Sequence, residues 1–248
     1  MTGRFLGKAA VVTGASGDLG RLLCEALLDE GSSVVGIDVD AARGEQMQAQ
    51  AREAGRDLTF RQVDIADADA VAAFGRGSSP VDILVNAAGV ISYARIGETS
   101  AEEWDRVLGI NVRGAFLVTK ALEPVLREGG SVINIASAAA LRAGAGWSAY
   151  SVSKAGLVAF TKVAAAELAP RARVNVVCPG ALDTRMPHRL LDGHPAKDAV
   201  LEQMAQASML GRLGEAQEVV PLCLFLASAE AGLVTGATIA VDGGMTAW

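Results

Sequence analysis

A chain of 248 residues with 51% hydrophobic content is long enough to bury one large α/β core and too short to add a substrate domain of ordinary size, so a single domain over 1–248 is expected. The net charge of -6 and the lack of any basic cluster exclude the electrostatic footprint of a nucleic-acid or anionic-membrane binder. No apolar run reaches the roughly 20 residues that span a bilayer, and Met1 to Lys8 carries no apolar leader. The cysteines, Cys24, Cys178 and Cys223, are too scattered for a disulfide framework or a zinc site. A cytoplasmic protein acting on a small molecule is expected, with no nucleic-acid or membrane partner and no metal.

Ala9 to Val12 is an apolar run that ends in Thr13-Gly14-Ala15-Ser16-Gly17-Asp18-Leu19-Gly20 and continues into an amphipathic stretch with Leu22, Leu23, Ala26 and Leu27. This is the pattern of strand, glycine turn and helix. Glycines let a backbone approach a pyrophosphate, and the positive end of the following helix favours its charge. Gly14, Ser16, Gly17, Asp18, Leu19 and Gly20 are therefore candidate dinucleotide contacts. A second strand, Ser33 to Ile37, ends at Asp38, where a carboxylate accepts both adenosine ribose hydroxyls and repels a 2'-phosphate. Neither the glycine turn nor Val39 supplies an arginine to hold such a phosphate, so NAD is expected over NADP.

An alanine- and glutamine-rich helix over about Ala42 to Ala54 leads to a third strand, Thr59 to Val63, followed by Asp64-Ile65. The helix from about Ala68 reads as short, with Gly75 to Pro80 as the loop before a fourth strand, Val81 to Val85. That strand runs into Asn86-Ala87-Ala88-Gly89, and Ile91 and Tyr93 follow as candidate pocket residues. Ser100, with Glu103 three residues on, is a capping-box signature for a long helix through Trp104, Val107, Ile110 and Phe116. Asn111 falls inside it, where an Asn is slightly unfavourable and a polar task is expected.

The run Ser131 to Ala136, preceded by Gly129-Gly130, reads as the fifth strand, with Ser137 at its carboxyl end. The next segment, Ala138 to Ser148, carries Leu141, Arg142 and Trp147, further pocket candidates; Arg142 is either a contact for an anionic substrate or a solvated side chain. Tyr150 and Lys154 then stand four residues apart, on one face of a helix. A free phenol titrates near 10, and bringing it to about 7 takes roughly 4 kcal/mol, which one unit charge about 4 Å away supplies at an effective dielectric of about 20. A hydroxyl at the strand end, opposite that phenol, is placed to hydrogen-bond the same substrate oxygen.

Arg173 to Val177 is the sixth strand and ends in Cys178-Pro179-Gly180-Ala181-Leu182-Asp183-Thr184. From 185 to 210 no clean helical face runs throughout, and this stretch, with Met186, Leu190 and Met209, is the expected substrate lid. Its histidines, His188 and His194, have no partner at ligand spacing and read as solvated. An apolar helix, Val219 to Ala227, and a last strand, Ala237 to Val241, closed by Asp242-Gly243-Gly244, complete the chain.

Ser137, Tyr150 and Lys154, with Asn111 upstream, resemble the catalytic residues of the short-chain dehydrogenase/reductase family, and the resemblance covers nearly the whole chain. It implies an α/β fold, a doubly wound parallel sheet of about seven strands with helices on both faces. Thr13 to Gly20, Asp38, Asn86, Ser137 and Thr184 all fall at strand carboxyl ends, where such sheets bind ligands. The implied activity is reversible hydride transfer between NAD and a secondary alcohol or ketone. Tyr150 would be general base in oxidation and general acid in reduction, and Ser137 would orient the substrate oxygen. Lys154 would lower the Tyr150 pKa and bind the nicotinamide ribose, while Asn111 would hold a proton-relaying water.

By the same resemblance, Asp64 and Ile65 cap the adenine, and Asn86, Ala88 and Gly89 form a turn that lets the cofactor ribose pass closely. Pro179, Gly180, Leu182 and Thr184 match the family's P-G-x-x-x-T turn, with Leu182 backbone groups on the nicotinamide carboxamide and Thr184 on it or on the pyrophosphate. A homotetramer is implied, in which Trp248 either reaches a neighbouring active site or belongs to a frayed terminus. Two positions depart from the pattern. Asp18 replaces the middle glycine of T-G-x-x-x-G-x-G, where Asp is expected to tolerate unusual backbone angles, and Ala87 replaces an Asn, removing a hydrogen-bonding group.

Rival readings have counter-signals: dehalogenases of this scaffold replace the Lys with Arg, and related enoyl reductases space Tyr and Lys more widely. A sensor that holds NAD without turnover need not keep all four groups. The apolar pocket candidates favour an aromatic, alicyclic or medium-chain alcohol over a sugar.

Overall fold

The computed structural model describes residues 3–193 and 196–247; His194 and Trp248, singled out above, lie outside the described residues. Seven strands, β1 (Ala9–Thr13), β2 (Ser33–Asp38), β3 (Leu58–Gln62), β4 (Val81–Asn86), β5 (Leu126–Ile135), β6 (Ala172–Pro179) and β7 (Thr238–Val241), form one sheet in the order β3-β2-β1-β4-β5-β6-β7. All neighbours pair parallel, so each connection must cross over, and helices do this. These are α1 (Asp18–Asp29), α2 (Ala41–Glu53), α3 (Ala68–Arg76), α4 (Ala101–Leu108), α5 (Ala115–Leu122), α6 (Ser148–Leu168), α7 (Arg185–Leu190), α8 (Lys197–Gln206) and α9 (Val220–Ala227).

Every residue of β4 is buried, as a parallel strand covered on both faces requires. Leu23 and Leu27 of α1, Met47 of α2 and Cys223 of α9 pack in one core. Val71 of α3, Val118 and Leu122 of α5 and Leu168 of α6 pack in the other. This is the doubly wound α/β arrangement. Strand order reverses between β1 and β4, whose register pairs Thr13 with Asn86, and the crevice outside those strand ends is the natural ligand site. Among the described residues no helix is long and apolar enough to cross a membrane.

Four local expectations change. β5 starts at Leu126, before the two glycines, because Gly129 takes a left-handed backbone (φ 75) where the β4–β5 register shifts. Gly75 and Arg76 belong to α3: a Cβ on Gly75 would lie 2.6 Å from the Ala121 carbonyl oxygen, so this glycine serves helix packing and not a turn. The helix expected through Phe116 is broken, with Gly109–Gly114 winding as a π-helix between α4 and α5. The expected lid contains two helices, α7 and α8, rather than an irregular chain.

Candidate active site

Ser137 leaves the end of β5 and caps the following turn by accepting the Ala139 N–H at 3.2 Å. Tyr150 and Lys154 lie in the first turns of α6, and both are buried. The Ser137 hydroxyl faces the Tyr150 phenol closely enough to favour its ionised form. Lys154 Nζ donates to the Ile135 carbonyl at 2.9 Å and stands 5.8 Å from the centre of the Tyr150 ring. Gly89 borders the group: a Cβ there would lie 3.1 Å from Lys154 Nζ and 3.2 Å from Asn111 Oδ1.

Asn111 sits in the π-helical turn, a winding that recurs at functional sites. Its Oδ1 accepts the Val90 N–H at 2.8 Å, and its Nδ2 donates to the Val90 carbonyl and the Ser153 hydroxyl, both at 2.9 Å. The polar task expected of a mid-helix Asn is thus a clamp on the loop after β4.

Burial sets the electrostatics. It raises the Tyr150 phenol above its ordinary value, against a smaller opposing effect of the nearby Ser137 hydroxyl. It lowers the Lys154 ammonium to about 8, opposed by the nearby Cys178. The lowering of Tyr150 by Lys154 anticipated from a bare charge–charge estimate is therefore not present in this structure. That estimate left out the cost of charging two groups away from water. Cys178 lies close enough to interact with both Ser137 and Lys154, and burial pushes it up to about 11.

The glycine turn fits a dinucleotide. Gly14 (φ 67) approaches the turn after β4 so closely that a Cβ would lie 2.7 Å from Ala88 Cα, and a Cβ on Gly20 would lie 2.0 Å from the Gly14 carbonyl oxygen. Thr13 Oγ1 accepts the Ala88 N–H at 3.0 Å and ties the two strand ends together. Gly17 caps α1 without a side-chain acceptor, which leaves first-turn N–H groups, Leu19 among them, for an anion. Asp38 is held at the rim by N–H groups of Ser16 and Asp40, each at 3.0 Å.

Asp18 needs no unusual backbone angle: among the described residues no non-glycine has positive φ. It is the first residue of α1, and its carboxylate takes the Arg185 Nε at 2.5 Å and the Arg185 N–H at 2.7 Å, while Arg185 Nη2 donates to the Ser16 carbonyl at 2.9 Å. The turn's own sequence supplies no arginine, and the fold delivers one from the start of α7.

The Asn86 amide, in the turn expected to let the cofactor ribose pass closely, is engaged within the sheet and its helices. Its Nδ2 donates to Thr119 Oγ1 at 3.1 Å and Asn134 Oδ1 at 2.8 Å, and Asn134 Nδ2 donates to Thr161 Oγ1 at 2.8 Å. This buried chain joins β4 and β5 to α5 and α6. Ile65 buries its side chain, against which a Cβ on Gly114 would lie 2.6 Å from Cδ1, and so offers an adenine its backbone rather than its side chain. Asp64 is spent in part on the Ala66 N–H.

In the P-G-x-x-x-T turn, Pro179 ends β6 and a Cβ on Gly180 would lie 2.8 Å from Asp242 Cα. The Ala181 carbonyl and the Asp183 N–H are bonded to Gly214 on either side of Leu182. Thr184 stands at the cap of α7 without a side-chain cap bond. His188 pairs with Asp183 at 2.7 Å.

The pocket candidates divide. Tyr93 packs edge-on against Trp147 at 4.9 Å, and Trp147 lies 5.9 Å from the Tyr150 ring, forming an aromatic wall that ends at the phenol. Arg142 donates to the Met245 carbonyl at 2.8 Å, so it straps the C-terminal segment. Met209 lies against Gly244 of that segment, where a Cβ would meet its sulfur at 2.7 Å. Met186 and Leu190 are carried by α7, Leu141 is exposed and Ile91 is half-buried.

A family profile described as enoyl-(acyl carrier protein) reductase matches residues 14–246. Cyclopentanol dehydrogenase from Comamonas sp. (strain NCIMB 9872) is 36% identical over 252 residues, covering 99% of each chain. D-threitol dehydrogenase from Mycolicibacterium smegmatis is 38% identical over 254 residues, covering 98% of this chain and 94% of that one. The crystal structure of a dehydrogenase/reductase from Sinorhizobium meliloti 1021 superimposes with a TM-score of 0.88 at 34% identity, covering 97% of this chain and 95% of that one. With this likeness running from the glycine turn to the last strand, and Ser137, Tyr150 and Lys154 converging at its strand ends, the chain belongs to the short-chain dehydrogenase/reductase family of oxidoreductases.

Proposed function

We propose that this protein is an NAD-dependent secondary alcohol dehydrogenase and ketone reductase. The observation that carries the proposal is the buried Tyr150 phenol facing the Ser137 hydroxyl, with the Lys154 ammonium 5.8 Å from the centre of the same ring. The family usually binds a nicotinamide cofactor, which when bound supplies the hydride acceptor or donor. Gly14, Gly17, Leu19, Gly20 and Asp38 would hold its adenosine and pyrophosphate half, with Lys154, Leu182 and Thr184 on the nicotinamide half. The Asp38 carboxylate beside Ser16 favours a free ribose 2'-hydroxyl over a 2'-phosphate.

Tyr150 takes the alcohol proton in oxidation and returns it in reduction, while Ser137 holds the substrate oxygen against it. Lys154 would bond the nicotinamide ribose and hold its ammonium beside the Tyr150 ring. Asn111 keeps the loop after β4 in place beside that amine and holds the relay water.

The Tyr93–Trp147 wall supports an alicyclic or aromatic alcohol, a class to which the substrate in the name of the Comamonas relative belongs. Exposed Phe116 on α5 and Val152 and Val163 on α6 support a homotetramer assembled through these helices.

The test is nicotinamide absorbance while purified protein meets NAD or NADP with cyclopentanol, other cyclic secondary alcohols and D-threitol. Reduction of NAD by cyclic alcohols is expected. Faster reduction of NADP would overturn the Asp38 assignment, preference for D-threitol would overturn the apolar substrate class, and bound NAD without turnover on any of these alcohols would favour a sensor.

A further inference from the structure

The Asp18–Arg185 pair is out of place for a site built to receive an anion. A pyrophosphate is drawn to the first turn of α1 by unbonded N–H groups and the helix dipole, yet the first residue of that helix carries a carboxylate. Left alone, Asp18 would repel the ligand. It is not left alone. Both of its oxygens are engaged by Arg185, one by Nε at 2.5 Å and one by the backbone N–H at 2.7 Å, and Nη2 of the same guanidinium reaches the Ser16 carbonyl at 2.9 Å.

Two segments 167 residues apart are thereby joined at the mouth of the dinucleotide crevice. Arg185 follows Thr184 directly and opens α7, the first helix of the lid. Nε and Nη2 are committed, and among the described residues no protein acceptor takes Nη1. The guanidinium is partly open, with 37% of the side chain exposed. A planar fork held on one edge and free on the other is a phosphate-binding arrangement.

We infer, on the footing of the NAD reading above, that Arg185 is a cofactor-positioning residue that donates to the pyrophosphate. Asp18 aims its guanidinium, and Arg185 in turn cancels the charge that Asp18 brings into the glycine turn. The pair also fastens the lid's first helix to the phosphate turn, so the cofactor grip and the base of the lid share one side chain.

The consequence is a partial rescue of the single substitution by the double one. Arg185→Ala both removes a phosphate donor and uncovers the Asp18 carboxylate, whereas Asp18→Gly/Arg185→Ala removes donor and carboxylate together. The experiment is titration of NADH by its fluorescence, with ADP-ribose and adenosine by calorimetry, on the wild type and on Arg185→Ala, Arg185→Lys, Asp18→Gly and the double variant. Arg185→Ala should weaken NADH and ADP-ribose by about tenfold or more and leave adenosine unchanged, which also reports that the variant is folded. The double variant should recover part of the loss. Arg185→Lys keeps the charge without the fork, and should give a smaller loss of the same kind; it carries the test if the alanine variant does not fold.

Wild-type affinity for ADP-ribose in Arg185→Ala, or a double variant no tighter than Arg185→Ala, would overturn the inference. Equal weakening of adenosine would also overturn it, because the residue would then act on the fold of the site and not on phosphate. A wild type that binds no NADH would fail the cofactor reading itself, an outcome visible before any variant is made.

Discussion

Lys154 reaches past the Tyr150 ring to the end of the neighbouring strand: its Nζ lies 5.8 Å from the ring centre and 2.9 Å from the Ile135 carbonyl oxygen. The ammonium is thus tethered to the backbone two residues before Ser137. Serine, phenol and amine are held as one unit by β5 and α6. Burial lowers the amine to about 8 and raises the phenol, so each group is shifted toward its neutral form by its own loss of water.

The raised phenol predicts the rate profile. Tyr150 must give up its own proton before it takes that of an alcohol, so kcat/KM for oxidation should rise with pH toward the range where the phenol ionises. For ketone reduction it should fall through the same range. Initial rates in both directions between pH 6 and 10 check this; parallel profiles in the two directions would contradict it.

Stability has its own pH signature. Between about 8 and the ordinary lysine value of 10.5, the unfolded chain binds a proton at Lys154 that the folded one lacks, so stability rises with pH there. The opposite holds for the buried thiols. They are raised from 9.0, Cys178 to about 11 and Cys223 to about 12, with Cys24 raised further, so the folded chain keeps protons that the unfolded chain loses. Tyr150 adds to this above 10. Urea midpoints should therefore climb slightly from pH 8 to 9 and fall above it. Lys154→Met should abolish the climb and keep the fall.

Asn111→Ala should be costly without touching substrate. It strands the half-buried Val90 N–H and carbonyl, while the Ser153 hydroxyl keeps its bond to the Tyr150 carbonyl, a loss of about 2 kcal/mol, read from the urea midpoint with unchanged slope. A loss under about 0.5 kcal/mol, the range of ordinary surface substitutions, would mean that the π-helical turn does not depend on this clamp.

Trp147→Ala removes the middle of the aromatic wall. The kcat/KM for cyclic alcohols should drop by about tenfold or more, with a smaller change for an open-chain polyol. An equal change for both would mean that Trp147 supports the fold of the loop and not the recognition of the ring.

Much of this was legible from local pattern. The strand–glycine turn–helix at Ala9 to Leu27, the placement of Asp38 at a strand end and the Tyr150–Lys154 spacing each depend on neighbours within a few residues. What escaped depends on register or on distance along the chain. Asn86 looked like a cofactor contact because it ends a strand, but the pleat turns its amide toward Asn134 and Thr119. Gly75 looked like a loop residue because glycine breaks helices, and only the approach of Ala121 explains it. Asp18 looked like a tolerated flaw in the turn, since its partner Arg185 lies 167 residues away. The phenol's pKa escaped for another reason: a charge-pair estimate contains no burial.

The central claim is that Tyr150 moves the proton. Its most direct test is Tyr150→Phe, measured for both NADH binding and turnover of a cyclic secondary alcohol. The phenyl ring keeps its packing against Trp147 and loses only the hydroxyl, so NADH affinity should stay near that of the wild type while kcat falls by at least about a hundredfold. Turnover retained within a few-fold, with the cofactor still bound, would contradict the account and move the proton-transfer role to another group.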